Sequence, residues 1–274
     1  MTVSLFSSKL DASSRQRALQ EMAERDFDIL VVGGGINGVG IALDAASRGL
    51  SVALIEKDDF ASGTSSKSSK LIHGGLRYLE QYDFGLVREA LNERELMVTS
   101  LAPHLVKPVP FLYPLQEKFK ERTYVGAGMT LYDALRGFKR ALPWHKHLSQ
   151  KRIREIAPSL RLDVVTGGYQ YFDAKVDDAR HTMMIARTAA KYGAQIATRT
   201  VCTSVTKEGK RVTGVKAKDL LTGNELNIKA AVTIMAAGVW TDDLYRSFEI
   251  KPGYSLLMRS EEHTSELQSR VDIS

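Results

Sequence analysis

Apolar residues near the start of the chain follow the spacing of a strand, then a helix, then a second strand. A continuous aliphatic run ends at Val32 and is typical of a parallel strand buried on both faces. Residues 38–48 then carry apolar side chains three and four positions apart, and Gly49 follows them as a helix stop. Residues 51–55 form a second apolar run that ends at Glu56. This pattern predicts a βαβ unit.

Elsewhere in the chain, the same criteria predict two more helices and a series of strands. A short leading helix is predicted at residues 10–25, and another at residues 181–192, where Gly193 ends it. Apolar runs separated by glycine-containing turns predict strands at residues 196–205, 211–218, 225–228 and 231–235. The segment between the two halves is richer in proline, aromatic and basic residues, which predicts an inserted domain.

Composition places the chain among ordinary globular proteins. It is 43% hydrophobic and 26% charged, which excludes a largely disordered chain. A single cysteine excludes an internal disulfide and a cysteine-cluster metal or iron–sulfur site, and no metal site is predicted. No apolar stretch approaches the roughly 18 residues that predict a membrane span, and the first residues lack the apolar core of a secretion signal. We therefore expect a cytoplasmic protein.

The net charge of +6 arises in one segment. Between residues 115 and 154, ten basic residues stand against three acidic ones, a local excess of seven. Such a cluster can face anionic lipid, and a solvated basic surface is the simpler interpretation. Aromatic and basic residues are not interleaved as nucleic-acid binding requires, so no nucleic-acid partner is predicted.

A glycine motif lies between the first strand and its helix. Gly33, Gly35 and Gly38 satisfy G-x-G-x-x-G: the first permits a tight turn, the second lets the backbone approach a diphosphate, and the third lets helix and strand pack closely. Glu56 is placed to accept ribose hydroxyl groups, and its charge disfavours a 2′-phosphate. These residues predict a dinucleotide site at the helix N-terminus. The motif does not separate FAD from NAD, so an NAD-dependent dehydrogenase stays open.

A serine- and glycine-rich stretch follows, ASGTSSKSSKLIHGGLRYLE at residues 61–80. By composition alone it is either a flexible loop or a set of donors that surrounds a polar ligand. Its position after the βαβ unit, with VDDAR at 176–180 and AAGVWTD at 236–242, resembles the signature of the FAD-dependent glycerol-3-phosphate dehydrogenases. The resemblance covers about residues 26–258.

The resemblance implies an α/β fold, with a Rossmann-like FAD/NAD(P)-binding domain and an inserted, incomplete antiparallel-sheet substrate domain. The implied division is an N-terminal helical extension at 1–25, an FAD-binding domain at 26–102 and 169–248, a partial substrate domain at 103–168 and 249–258, and a disordered tail without family likeness at 259–274.

The resemblance also implies which residues contact FAD. The three motif glycines match the diphosphate positions and Glu56 the ribose position. Family members usually have Asn where this chain has Met235, and we expect the change to weaken a turn contact without abolishing FAD binding. The other implied positions are Thr64, Ser65 and Ser66 beside the flavin, Leu71, His73, Gly74 and Gly75 along its ring, Cys202 at the adenine through its backbone, and Ala237 and Gly238 near the phosphates.

Arg77 and Tyr78 match substrate-facing positions of the family. A guanidinium group binds a phosphate dianion with two parallel hydrogen bonds, and a phenol can hydrogen-bond a substrate oxygen. Without the resemblance, a surface ion pair and a packing ring are the favoured roles of these two residues. Histidine is a common general base, so His73 is considered for that role, but we expect it to position the flavin or to fill a hydrogen-bonding role, and the catalytic base is not assigned. Asp177 and Asp178 are interpreted as helix-capping residues.

The function implied by the resemblance is oxidation of sn-glycerol 3-phosphate to dihydroxyacetone phosphate by hydride transfer to FAD, with a quinone as electron acceptor. This chain is expected to be the N-terminal, C-terminally truncated part of such an enzyme, and therefore to be inactive or impaired in this reaction. The alternatives are an oxidase that uses oxygen, a non-catalytic FAD-binding fragment and the NAD-dependent dehydrogenase. The partners considered besides substrate and quinone are the inner face of the cytoplasmic membrane, as a peripheral contact, and a second copy in a homodimer.

Overall fold

The computed structural model of the chain describes residues 6–137, 141–161 and 163–248. The described residues divide into two compact units, one formed by those within 6–67 and 178–248 and the other by those within 68–177. The part of the expected substrate domain at 249–258 and the expected tail at 259–274 lie outside the described residues.

The first unit is built on a six-stranded sheet. Its central strands are parallel, and its last two neighbours form an antiparallel meander. Across the sheet the strands are β7 (Gln195–Ala197), β2 (Val52–Ile55), β1 (Phe27–Val32), β10 (Glu225–Met235), β9 (Arg211–Asp219) and β8 (Thr200–Glu208).

Helices cover both faces of the parallel strands. One face packs against α2 (Ile36–Ser47) and α6 (Asp178–Lys191), and the other against α1 (Ala12–Glu24). Successive side chains of β2 enter the two cores in turn, which explains why its sequence is apolar at every position. The short helix α7 (Thr241–Ser247) follows β10. The predicted Rossmann-like α/β fold is confirmed.

Two of the predicted strand boundaries are wrong. Residues 196–205 do not form one strand, because Arg199 adopts a left-handed φ of 53° and its N–H donates to the Asp58 carbonyl oxygen, which separates β7 from β8. Residues 225–228 and 231–235 belong to one strand, β10, which pairs antiparallel with β9 up to Lys229 and parallel with β1 from Ala230. The chain changes partner there without turning.

The described residues of the second unit form a four-stranded antiparallel sheet and three α-helices. The central strand β6 pairs with β4 along its whole length. It also pairs with β5 near its first residues and with β3 near its last residues. The sheet therefore includes residues upstream of 103, where the sequence placed the start of the inserted domain. The elements are β3 (Leu71–Ile72), α3 (Phe84–Leu96), β4 (Lys107–Leu115), α4 (Lys120–Leu135), β5 (Lys146–Ser149), α5 (Gln150–Ile156) and β6 (Gly167–Lys175).

Candidate functional site

The chain turns tightly between β1 and α2. Gly33 has a φ of 121°, and a Cβ atom built on it would lie 2.8 Å from the carbonyl carbon of Ala236. A Cβ atom on Gly38 would lie 3.0 Å from the carbonyl carbon of Gly33, because the helix packs directly on the turn. Only glycine fits these two positions without displacement, as the motif predicts.

The N-terminus of α2 presents backbone amides. Its N-cap is Gly35, which has no side chain that could accept a hydrogen bond from them. The N–H of Ile36 donates to Ser65 Oγ at 2.9 Å. Helix geometry leaves the amides of Asn37 and Gly38 without an intrahelical acceptor, and the helix dipole places partial positive charge beside them. This donor set suits a diphosphate.

Glu56 lies at the end of β2 and is buried. Its Oε2 accepts a hydrogen bond from Gly34 N–H at 2.5 Å, and its Oε1 accepts one from Asp58 N–H at 2.7 Å. The carboxylate therefore fixes the backbone of the glycine turn by accepting the Gly34 amide proton. Each carboxylate oxygen can accept a second hydrogen bond, so this arrangement is compatible with the predicted ribose contact.

Two further segments reach the same end of the sheet. Thr64–Ser66 forms a 3₁₀ turn that Ser65 joins to α2. The segment after β10 begins with Ala236, whose N–H donates to the Val32 carbonyl oxygen at 2.8 Å, and Gly238 starts a second 3₁₀ turn with a φ of 56°. The two segments meet where a Cβ atom on Gly63 would lie 2.7 Å from the Trp240 ring. The first unit thus brings Ser65, Ala237 and Gly238 to the α2 N-terminus.

Met235 is the last residue of β10 and pairs in register with Val32. Its side chain packs against the core on the α1 face of the sheet. An apolar side chain is therefore accommodated where the family usually has Asn, and its predicted effect on FAD binding stays a prediction.

Cys202 lies on β8 with its thiol inside the core. Burial raises the pKa of this thiol to about 12, so the group is a neutral core side chain at physiological pH. Only its backbone could contact a ligand, which agrees with the role that the resemblance assigns to this position.

The second unit holds the segment that was predicted to run along the flavin. Leu71 belongs to β3, and His73, Gly74 and Gly75 follow this strand. The N–H of Gly75 donates to His73 Nδ1 at 3.1 Å, which places the proton of the neutral imidazole on Nε2. The exposed His73 ring can therefore donate a hydrogen bond from Nε2.

The predicted substrate residues follow in a 3₁₀ turn, Leu76–Leu79, which contains Arg77. The ring of Tyr78 lies over Gly75, where a Cβ atom would be 2.5 Å from Tyr78 Cδ2. It also packs against the buried side chain of Leu91 and its neighbours. Tyr78 thus has a packing role, and the substrate contacts of both residues stay predictions.

Sequence reasoning missed a buried polar cluster in this unit, formed by Arg94, Tyr132 and Asp173. The available signal was the single acidic residue, Asp173, within the aromatic strand GGYQYFDAK. The Ser65 contact with α2 was also missed, since it links positions 29 residues apart.

The parallel sheet, the glycine turn and the amide-bearing helix terminus define the first unit as a dinucleotide-binding α/β domain. A family model described as FAD dependent oxidoreductase matches residues 28–272. The chain belongs to the FAD-dependent oxidoreductase family.

Comparison with individual proteins shows which members of this family the chain is similar to. The chain is 52% identical over 237 residues to the glycerol-3-phosphate dehydrogenase of Mycobacterium leprae, covering 86% of this chain and 40% of the relative. It is 41% identical to an alpha-glycerophosphate oxidase of Streptococcus pyogenes, over 87% of this chain and 39% of the relative. The solved glycerol-3-phosphate dehydrogenase of Bacillus halodurans, complexed with FAD, superposes with a TM-score of 0.66 at 33% identity, covering 89% of this chain and 40% of that one. These comparisons confirm the resemblance, and the chain spans about two fifths of the length of these relatives.

Proposed function

We propose that this chain binds FAD and provides the cofactor-binding part of an oxidation of sn-glycerol 3-phosphate to dihydroxyacetone phosphate. The observation that carries the proposal is the convergence, within the first unit, of the glycine turn, Ser65 and the Ala236–Gly238 segment at the N-terminus of α2. Glycerol 3-phosphate is proposed as the substrate because the similar proteins are named glycerol-3-phosphate dehydrogenases.

The residues have distinct roles in this proposal. The amides of Asn37 and Gly38 bind the diphosphate, and Glu56 accepts the ribose hydroxyl groups. Bound FAD supplies the acceptor for the hydride that leaves the secondary alcohol carbon. Arg77 binds the substrate phosphate, and Tyr78 hydrogen-bonds a substrate oxygen. No residue is assigned as the base that takes the hydroxyl proton.

FAD titration of the purified chain tests the proposal. We expect the visible absorbance of bound flavin and quenching of its fluorescence, with Gly33→Ala reducing both. A folded chain that stays colourless in excess FAD would refute the proposal, and binding of NAD instead would favour the NAD-dependent alternative. Turnover of glycerol 3-phosphate with an artificial acceptor then separates an active enzyme from a non-catalytic FAD-binding fragment.

A quinone is the proposed electron acceptor. The likeness to an alpha-glycerophosphate oxidase supports oxygen as the alternative. Stopped-flow reoxidation of the substrate-reduced protein distinguishes them: we expect fast reoxidation by a soluble quinone analogue and slow reoxidation by dissolved oxygen. The opposite order of rates would favour the oxidase.

We further propose that the second unit contacts an anionic membrane surface. Among the described basic residues between 115 and 154, Arg136 is buried and the other seven are exposed, and so are the aromatic side chains of Phe119 and Tyr124. Within the described ranges, no helix combines the length and apolar character that a membrane crossing requires. Basic and aromatic side chains together suit binding at the lipid headgroups. The seven exposed residues are Lys118, Lys120, Arg122, Lys146, Lys151, Arg152 and Arg154.

Co-sedimentation with vesicles tests this contact. Binding to vesicles that contain anionic lipid should weaken with added salt and with the double change Lys118→Glu and Lys120→Glu, while neutral vesicles bind little. Equal binding to both vesicle types, or none, would contradict it. The homodimer stays a prediction that sedimentation velocity can test.

A further inference from the structure

Three polar side chains of the second unit form a cluster that is almost completely buried. Arg94 of α3, Tyr132 of α4 and Asp173 of β6 are 1%, 2% and 4% exposed. The Arg94 guanidinium pairs directly with Asp173 Oδ1, and the Tyr132 hydroxyl donates to the same oxygen at 2.9 Å. Arg94 Nη1 also donates to the Tyr132 hydroxyl oxygen at 3.2 Å. The cluster thus joins two helices to the central strand.

The backbone of Gly74 is attached to this cluster. Its N–H lies 2.9 Å from the Tyr132 hydroxyl oxygen and 3.2 Å from Asp173 Oδ1. A Cβ atom on Gly74 would overlap the Tyr132 hydroxyl and lie 2.8 Å from Leu91 Cγ, so the backbone approaches the cluster as closely as glycine permits. Gly74 is the middle residue of the segment from His73 to Gly75 that the family resemblance assigns to the flavin ring.

Tyr132 connects the ion pair to the Gly74 amide. Burial and the nearby Asp173 carboxylate raise the pKa of Tyr132 above its ordinary value, so the hydroxyl keeps its proton. It can then donate to Asp173 while it accepts from Gly74 N–H. Because this amide is fixed by a buried network, it should hold its position without a ligand.

We propose that Arg94, Tyr132 and Asp173 are positioning residues that fix the Gly74 backbone, and with it His73 and Gly75, for contact with the flavin ring. This inference rests on the proposed function, because it requires FAD to bind beside the Gly74 segment. The three side chains act through the backbone and do not themselves touch the cofactor.

The test measures FAD affinity and the visible circular dichroism of bound flavin for Tyr132→Phe in the full chain. Loss of the hydroxyl removes one of the acceptors of the Gly74 N–H. If the free energy of that hydrogen bond is needed to hold the segment in its FAD-binding position, its loss weakens FAD binding by about threefold to tenfold. We expect that loss in FAD affinity together with an altered flavin dichroism. Tyr171→Phe is the matched control, because Tyr171 lies on the same strand as Asp173 and stacks on Phe111. Its FAD affinity and flavin dichroism should match those of the parent chain.

A purely structural cluster gives a different result. Tyr132→Phe would then lower the free energy of unfolding in urea but leave FAD affinity and dichroism equal to those of Tyr171→Phe, which overturns the inference while the proposed function stands. Arg94→Lys is the second variant; it keeps the charge beside Asp173 and should weaken FAD binding by a smaller factor. If it folds and binds FAD unchanged, the inference is again overturned. A parent chain that does not bind FAD overturns the proposed function and the inference with it.

Discussion

Two glycines of α2 allow a controlled test of the glycine turn. Gly38 packs on the turn, and a Cβ atom there would meet the Gly33 carbonyl group and lie 3.3 Å from Ala236 Cβ. Gly40 lies two positions later in the same helix, and a Cβ atom there would meet nothing within 4 Å. Gly38→Ala and Gly40→Ala therefore add the same methyl group to the same helix in two different environments.

The magnitudes follow from these environments. Replacing a mid-helix glycine by alanine stabilises a helix by about 0.5–1 kcal/mol, which is the expectation for Gly40→Ala. Overpacking by one methyl group costs about 1–3 kcal/mol, which is the expectation for Gly38→Ala. The methyl group at position 38 can be accommodated only if the helix end moves away from the turn. Loss of one charge-assisted hydrogen bond from the displaced amides to a diphosphate, about 1.5–3 kcal/mol, would weaken FAD binding by roughly 10- to 100-fold.

The assay combines urea unfolding of both apo variants with FAD titration. Gly40→Ala should unfold at higher urea and bind FAD as the parent chain does. Gly38→Ala should unfold at lower urea and bind FAD at least tenfold more weakly. If Gly38→Ala bound FAD as tightly as Gly40→Ala, the close contact between helix and turn would have no part in binding the cofactor, and the argument from the glycine motif would be refuted.

Three further changes test other parts of the first unit. Ser65→Ala removes the hydroxyl that accepts the Ile36 N–H, the first amide of α2. It should lower the free energy of unfolding by about 1 kcal/mol in urea titrations and weaken FAD binding. An unchanged free energy of unfolding and an unchanged FAD affinity would contradict this capping role. Arg15→Met removes the ion-pair partner of the buried Asp219 carboxylate and should lower the free energy of unfolding by about 3 kcal/mol. Arg17→Met changes an exposed position of the same helix and should lower it little; equal losses for the two variants would show that the pair with Asp219 does not stabilise the fold. Alkylation of Cys202 at about pH 8.5 should be at least about 100-fold slower in the folded chain than in urea, and fast alkylation of the folded chain would contradict its burial. The free energy of unfolding should also fall as pH rises from the ordinary thiol pKa toward about 12, because the thiol of the unfolded chain loses its proton at lower pH than the buried thiol does.

The elements that the sequence predicted well are those with a strong local signal. The strand β1 and the helix α2 differ in periodicity, and a glycine turn separates them, so their order and type follow from neighbouring residues. The break at Arg199 and the continuity of β10 depend on which strand lies alongside, a property of the assembled sheet. Residue-by-residue periodicity contains no information about that choice of partner.

The same distinction applies to the site. Gly33 and Gly38 are predictable because no other residue fits so close a backbone approach. The Ser65 contact is a long-range pairing, and it changes the chemistry of the helix terminus: its hydroxyl accepts the Ile36 amide proton, one of the donors that the motif alone would assign to a phosphate. A diphosphate at this terminus is then left with the amides of Asn37 and Gly38. The serine-rich stretch therefore completes the N-terminus of α2 before any ligand binds, and its effect on FAD affinity should be measurable through Ser65 independently of the glycines.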